Sequence, residues 1–192
     1  MGIARNYLYN TLLTLTNLLV PFITIPYISR VLDPEGIGAV SFTASVVQYF
    51  VLFATLGTGL YGTRETASVR ENTEKLSDTF WQIEYLRVAA TVLAYVAFSL
   101  FLLFSYPGYR PLYLINSLLI INTTLDITFL FQGLEDFAKI TVRGLLVRLV
   151  GTCLIFLLIH KPSDYPLYAF INVITTVLGS VVMWLYFRRY NL

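Results

Sequence analysis

The chain predicts an all-α integral membrane fold, a bundle of six transmembrane helices, and three observations carry that expectation. Of 192 residues, 57% are hydrophobic and only 12% are charged, with a mean hydropathy of +0.71; an ordinary soluble domain has about 25% charged residues. No Asp, Glu, Lys or Arg occurs between Arg5 and Arg30, Glu35 and Arg64, Arg87 and Arg110, or Asp164 and Arg188, gaps of 22 to 28 residues. About 20 apolar residues of helix cross a hydrocarbon core of about 30 Å. Two further apolar stretches, Pro111 to Gly133 and about Ala138 to Ile159, are interrupted by Asp126, Arg143 and Arg148, with Lys139 at the edge of the second. Such long uninterrupted runs exclude a β-barrel, whose strands alternate apolar and polar residues.

The first span covers 7–29. Its apolar run continues through Pro21 and Pro26 without a small-residue cleavage site, so it reads as a retained helix rather than a signal peptide. Pro21 has no amide to offer the carbonyl of Asn17, and Pro26 likewise lacks a donor, so this helix is expected to bend. Two readings stay open: a hinge that opens a path, or a static kink. Asn10, Thr14, Asn17, Pro21 and Thr24 share one face of it. The second span, 38–62, repeats the design with Ser41, Ser45, Gln48, Thr55 and Gly59. The third, 83–106, sets Glu84, Arg87, Thr91 and Tyr95 on one face, with Glu84 and Arg87 in pairing reach at i, i+3. The fourth, 111–133, gathers Asn116, Asn122, Thr123 and Asp126 within about a third of its circumference. The fifth is 138–159. The sixth, 166–187, aligns Tyr168, Asn172, Thr175 and Gly179.

Six spans place both termini on one side. Ten basic residues, at Arg5, at Arg64 to Arg87, at Lys139 to Arg148 and at Arg188 and Arg189, fall on that side, whereas only Arg30, Arg110 and Lys161 fall on the other. This asymmetry puts the termini, a 63–82 loop and a 134–143 loop in the cytoplasm. The external turns YPGYRP and HKPSDYP are short, so the work belongs within the bilayer or at its inner face.

The formal charge of +2 is small and the basic residues are scattered, which excludes a nucleic-acid partner. A single cysteine, Cys153, allows no internal disulfide. The one histidine, His160, sits in an external turn, and no metal-ligand spacing, nucleophile elbow or nucleotide-binding loop is present. No catalytic residue, metal or cofactor is expected.

Polar residues on four helices admit two readings. Small ones glue transmembrane helices together; repeated carboxamides, with several hydrogen-bonding positions each, suggest a hydrated path. Gln48, Asn17, Asn122 and Asn172 are therefore substrate-binding candidates. Asp126 is the one acid deep within a span, where insertion costs roughly 2.5 to 3.5 kcal/mol at mid-membrane. It is the candidate for H+ or Na+ coupling, against a structural pairing with Arg148 or Arg87 or a shallow site reached by headgroup water. Arg148 either faces the cavity or snorkels to the headgroups. Arg64, Arg87 and Arg148 together suit an inward-facing anionic site, because the guanidinium fork matches phosphate oxygens; Arg30 completes the cationic candidates.

Four strings are more specific: NYLYN (6–10), PFITIPYISRVLDPEGIGAVSF (21–42), GLYGTRETASVR (59–70) and FQGLEDFAKITVR (131–143). In order and placement they resemble the amino-terminal half of bacterial polysaccharide repeat-unit flippases, the Wzx or polysaccharide transporter family of the multidrug, oligosaccharidyl-lipid and polysaccharide exporter superfamily. The resemblance implies transport of an undecaprenyl-diphosphate-linked oligosaccharide to the outer leaflet of the bacterial cytoplasmic membrane, for capsule, O-antigen or exopolysaccharide synthesis. It implies two six-helix lobes around a cavity that opens alternately to each side. Residues 1–192 form one such lobe. The expected partners are the lipid-linked oligosaccharide, membrane lipid, a carboxyl-terminal lobe or second subunit, and polysaccharide polymerase machinery. Two other functions stay open: a drug or small-solute exporter of the same superfamily, and a noncatalytic scaffold for glycan assembly.

Overall fold

The computed structural model describes residues 3–187; along the first helix, side chains are described for residue 11, for residues 14–16 and from residue 18 onward. The described chain is a bundle of eight helices: α1 (Ile3–Val31), α2 (Pro34–Thr55), α3 (Thr58–Val69), α4 (Thr73–Phe104), α5 (Arg110–Leu125), α6 (Thr128–Gly133), α7 (Phe137–Leu158) and α8 (Tyr165–Phe187), with single 3-10 turns at Pro107–Tyr109 and Pro162–Asp164. Five stretches of the described residues, Pro34–Val69, Thr73–Phe104, Pro107–Gly133, Phe137–Leu158 and Pro162–Phe187, are long and apolar enough to cross a membrane. The remaining predicted span, 7–29, lies within the 29 residues of α1. The all-α membrane class holds.

Two spans expected to be continuous are each broken. The second stops at Thr55, because Leu56 (φ 43°) and Gly57 (φ 71°) both take the left-handed conformation before α3 begins. Glycine adopts that conformation without a Cβ penalty; Leu56 is held there with its amide donating to the Leu52 carbonyl at 3.3 Å. The fourth span breaks at Asp126 and Ile127, between α5 and α6. By contrast α1 runs unbroken through Pro21 and Pro26. The Thr24 hydroxyl donates to the Val20 carbonyl at 3.1 Å and the Ser29 hydroxyl to that of Pro26 at 3.1 Å; the carbonyls that the prolines leave without an amide donor are those of Asn17 and Phe22.

The expected 63–82 loop is also corrected. Helix continues to Val69, and α4 starts at Thr73, where the Asn72 carboxamide oxygen caps it by accepting from the Lys75 amide at 3.0 Å. At 1.5 Å per residue, the 32 residues of α4 extend about 48 Å, well beyond a hydrocarbon core. The charged residues at 74–78 mark where the span leaves the apolar layer, not where the helix ends.

Packing follows from this layout. Near the 70–72 turn, Phe80 stacks on Phe129 (centroids 5.9 Å apart) and Phe187 (4.6 Å), joining α4, α6 and α8. Helices α3 and α6, the pieces beyond the two breaks, pack on each other. Gly62 sits so close to the Phe129 ring that an added Cβ would fall 2.6 Å from its Cδ2. The pair is tied at its tip by Arg70 Nη1 to Glu135 Oε1 at 2.6 Å. That hydrogen bond, and the Glu135 charge behind it, hold the Arg70 pKa above its ordinary value. At the opposite end, Ile28 of α1 and Leu32 just beyond it pack with Ile155, Ile159 and Ile171, and the Tyr27 hydroxyl donates to the Ile159 carbonyl at 2.7 Å.

Candidate functional site

Two polar chambers lie between the spans. The larger, about 620 Å³, opens among α1, α2, α5, α7 and α8 and is lined by Arg143 and Arg148 together with Thr24, Ser41, Thr152, Tyr168, Asn172 and Thr176. Both arginines project from α7 and are half-buried. Arg143 is fixed from two sides: Nη1 donates to Thr128 Oγ1 at 3.0 Å and lies 3.5 Å from Asp126 Oδ1, while Nη2 donates to Ser180 Oγ at 2.8 Å. Gly179 makes room for this, since a Cβ there would meet the Val147 side chain and lie 3.2 Å from Arg143 Nε.

The second chamber, about 560 Å³, sits where the two helix breaks face each other. Thr55, Gly57, Thr58 and Gly59 line it from the α2–α3 break, and Asn122, Thr123, Asp126 and Thr128 from the α5–α6 break, with Arg87, Gln48 and Gln132 between them. A broken helix leaves carbonyls without intrahelical partners, and inside a bilayer each of these needs another donor. Here side chains supply them. Arg87 Nη2 donates to the carbonyls of Thr123 and Asp126, the latter at 2.8 Å, while Nη1 pairs with Glu84 Oε2 at 3.1 Å. Trp184 Nε1 donates to the Leu125 carbonyl at 2.9 Å. The Asp126 carboxylate bridges the break itself, with Oδ1 accepting from the Thr128 amide at 3.1 Å and from the Thr128 hydroxyl. Glu84 and Arg87 are therefore paired as their spacing predicts, and Arg87 is buried with its guanidinium 5.1 Å from the Phe129 ring centroid. Among the described residues that line this chamber, Asn122 is 8% exposed and its buried carboxamide oxygen has no hydrogen-bond partner.

The structure thus sorts the candidates. Arg87, Asn122, Asp126 and Gln48 meet at the second chamber, and Arg148 and Asn172 at the first. Asn172 is exposed on α8 and donates to the Tyr168 carbonyl at 2.8 Å. Arg64 is exposed on α3 and lines neither chamber, and Arg30 is exposed in the last turn of α1. Arg64, Arg87 and Arg148 accordingly do not converge on one site. The side chains of Asn10 and Asn17, like residues Arg188 and Arg189, lie outside the described residues. Asn116 turns inward, donating to Thr43 Oγ1 at 3.3 Å and to the Leu112 carbonyl at 2.9 Å, so it joins α5 to α2. Among the described residues no three His, Cys, Asp or Glu side chains gather as metal ligands.

Sequence reasoning missed Arg143 as a site residue, although it is one of few charges in an apolar run. It also missed the break at Leu56–Gly57, for which the TLGTG string was a signal, and the role of Trp184, for which there was none.

Long apolar helices that enclose polar chambers define a multi-pass, all-α membrane protein. The chain belongs to the polysaccharide biosynthesis protein family, whose profile matches residues 3–191. It is 23% identical over 184 residues to a protein of Escherichia coli strain K12 described as "Putative O-antigen transporter", an alignment covering 95% of this chain and 44% of that protein. It is 29% identical over 190 residues to a Shigella dysenteriae protein of the same description, covering 97% of this chain and 47% of that one. The chain therefore spans less than half the length of these curated relatives. No solved structure matches it significantly.

Proposed function

We propose that the chain is one lobe of a transporter that carries an undecaprenyl-diphosphate-linked oligosaccharide across the bacterial cytoplasmic membrane by alternating access. The observation that carries this reading is the 620 Å³ chamber within the membrane-spanning bundle, where Arg143 and Arg148 stand among hydroxyls and two carboxamides. A diphosphate needs cations, a sugar needs neutral donors and acceptors, and a polyprenyl chain needs only the lipid outside. The descriptions of the two relatives support the same direction. A second lobe, on the same or another chain, supplies the facing wall, and the surplus of basic residues at the 70–72 end orients that end and both termini toward the cytoplasm.

Coupling fits at Asp126. Its carboxylate holds Arg143 from the side of the second chamber; neutralising it with H+, or engaging it with Na+, would release Arg143 toward an anionic cargo in the first. The test uses vesicles containing the complete two-lobe transporter and a lipid-linked oligosaccharide whose sidedness is read with an impermeant lectin. Transport that falls about tenfold or more on Arg148→Gln supports the reading, since a charge-assisted hydrogen bond is worth roughly that much. A folded transporter that leaves sidedness unchanged refutes it.

A further inference from the structure

We propose that Glu84 is the proton-binding group of this lobe, and that its charge, relayed through Arg87 and Asp126, decides whether Arg143 stays at the helix break or turns to an anion in the first chamber. This rests on the transport reading and adds a link behind Asp126.

Four charges alternate in sign across the α5–α6 break. Glu84 Oε2 accepts from Arg87 Nη1 at 3.1 Å. Arg87 Nη2 in turn grips the Asp126 carbonyl at 2.8 Å, and the Asp126 carboxylate is the second anion that acts on this guanidinium. Asp126 Oδ1 then lies 3.5 Å from Arg143 Nη1. Arg87 and Asp126 line the chamber at the breaks and Arg143 lines the larger one, so the string runs from one chamber to the other. With two carboxylates and two guanidiniums it is neutral as a whole. Between buried groups a change of charge at one member is little screened before it reaches the next.

The two carboxylates differ in what depends on them. Asp126 Oδ1 accepts from the Thr128 amide and hydroxyl besides facing Arg143, so cancelling its charge weakens three contacts at once. Glu84 is buried, and among the described residues its one donor is Arg87 Nη1; when Glu84 is neutral, Arg87 still keeps the Thr123 and Asp126 carbonyls. The neighbouring helices bring little else. Helix α2 carries Glu35 in its first turn and the exposed Tyr49, α3 carries Tyr61, Glu65 and the exposed Arg64, α5 carries Arg110 and Tyr113, α8 has only tyrosines and α6 no titratable residue. Of all these, Arg87 is the group whose charge reaches Glu84. The proton arrives through the chamber that Arg87 lines. Once Glu84 is neutral, Asp126 is the anion left to Arg87, and a buried guanidinium without a partner is costlier than one beside an open chamber. Asp126 turns to Arg87, and Arg143 is released toward the first chamber.

The test uses the 192-residue chain in lipid nanodiscs. Infrared difference spectra on acidification are expected to show the high-frequency stretch of a protonated carboxyl out of water. Isotope-labelled glutamate should shift that band and labelled aspartate should not, a result that needs no variant to fold; Asp126→Asn should keep it and Glu84→Gln should lose it. Radiolabelled inorganic pyrophosphate, followed by equilibrium dialysis at neutral pH, is expected to bind about tenfold more tightly to Glu84→Gln, the effect of one charge-assisted hydrogen bond made available to the ligand. The gain should vanish in Glu84→Gln/Arg143→Gln and should not add to that of Asp126→Asn. Circular dichroism and gel filtration verify that each variant is folded. No such band, a band that follows labelled aspartate, or equal affinity in wild type and Glu84→Gln overturns the relay and leaves the transport reading intact. Pyrophosphate that binds no form of the chain overturns both.

Discussion

Arg87→Met removes the one side chain that holds three groups at the α5–α6 break. Its side chain and that of Glu84 are each only 6% exposed, so methionine fills the space while leaving the carboxylate unpaired, a loss of about 3 to 5 kcal/mol. The Thr123 and Asp126 carbonyls lose their donor as well, at about 1 to 3 kcal/mol for each one that water does not reach. With the second chamber wetting part of the break, the total is about 5 kcal/mol, a large part of a domain's whole stability. The double variant Glu84→Gln/Arg87→Met abolishes the stranded charge but not the stranded carbonyls, so it should recover about 3 kcal/mol of that loss. The assay is equilibrium unfolding in mixed micelles by SDS titration, followed by far-UV circular dichroism. An Arg87→Met midpoint indistinguishable from wild type, or a double variant no more stable than the single one, refutes the account of Arg87 as the clamp of a broken helix.

Three further outcomes follow from the geometry. Gly62→Ala drives a methyl group toward the Phe129 ring and should cost about 1 to 3 kcal/mol in the same titration; no change would mean that α3 and α6 are not in tight contact. Asp126→Ala should cost about 1 to 2 kcal/mol through loss of the bonds to Thr128, whereas Asp126→Asn keeps the acceptor oxygen and should cost much less. In the complete transporter, Asp126→Asn should flatten the pH dependence of transport, and an unchanged profile removes Asp126 as the coupling group. In a Cys153→Ser background, an impermeant maleimide should label Glu71→Cys only from the cytoplasmic side and Ser163→Cys only from the other, and the opposite pattern would invert the orientation.

The hydropathy pattern anticipated long apolar helices and misplaced their ends, for a physical reason. Charge-free stretches report where side chains meet hydrocarbon, and α4 carries Glu74, Lys75 and Asp78 on helix that starts ten residues before the predicted span. Breaks were harder still. Proline in α1 suggested a bend, as a hinge or as a static kink, and the helix runs unbroken through both positions. The interruption between α5 and α6 rests on pairs distant in sequence: Arg87 reaches across 36 residues to Thr123, and Trp184 across 59 to Leu125. No local pattern announces such partners. Polar stripes were legible as faces, but the division of those faces between two chambers depends on how five helices pack, which spacing along one helix does not encode.

Trp184 has a practical consequence. Only two tryptophans occur in the sequence; Trp81 is 38% exposed, and Trp184 places its indole N–H on the Leu125 carbonyl, with Phe187 5.3 Å away. Replacing Trp81 with Phe leaves a single emitter wired to the end of α5. Emission from that indole shifts whenever its carbonyl partner departs, so the protein carries an intrinsic optical gauge of whether the helix break is closed, readable during turnover without a dye or an added cysteine.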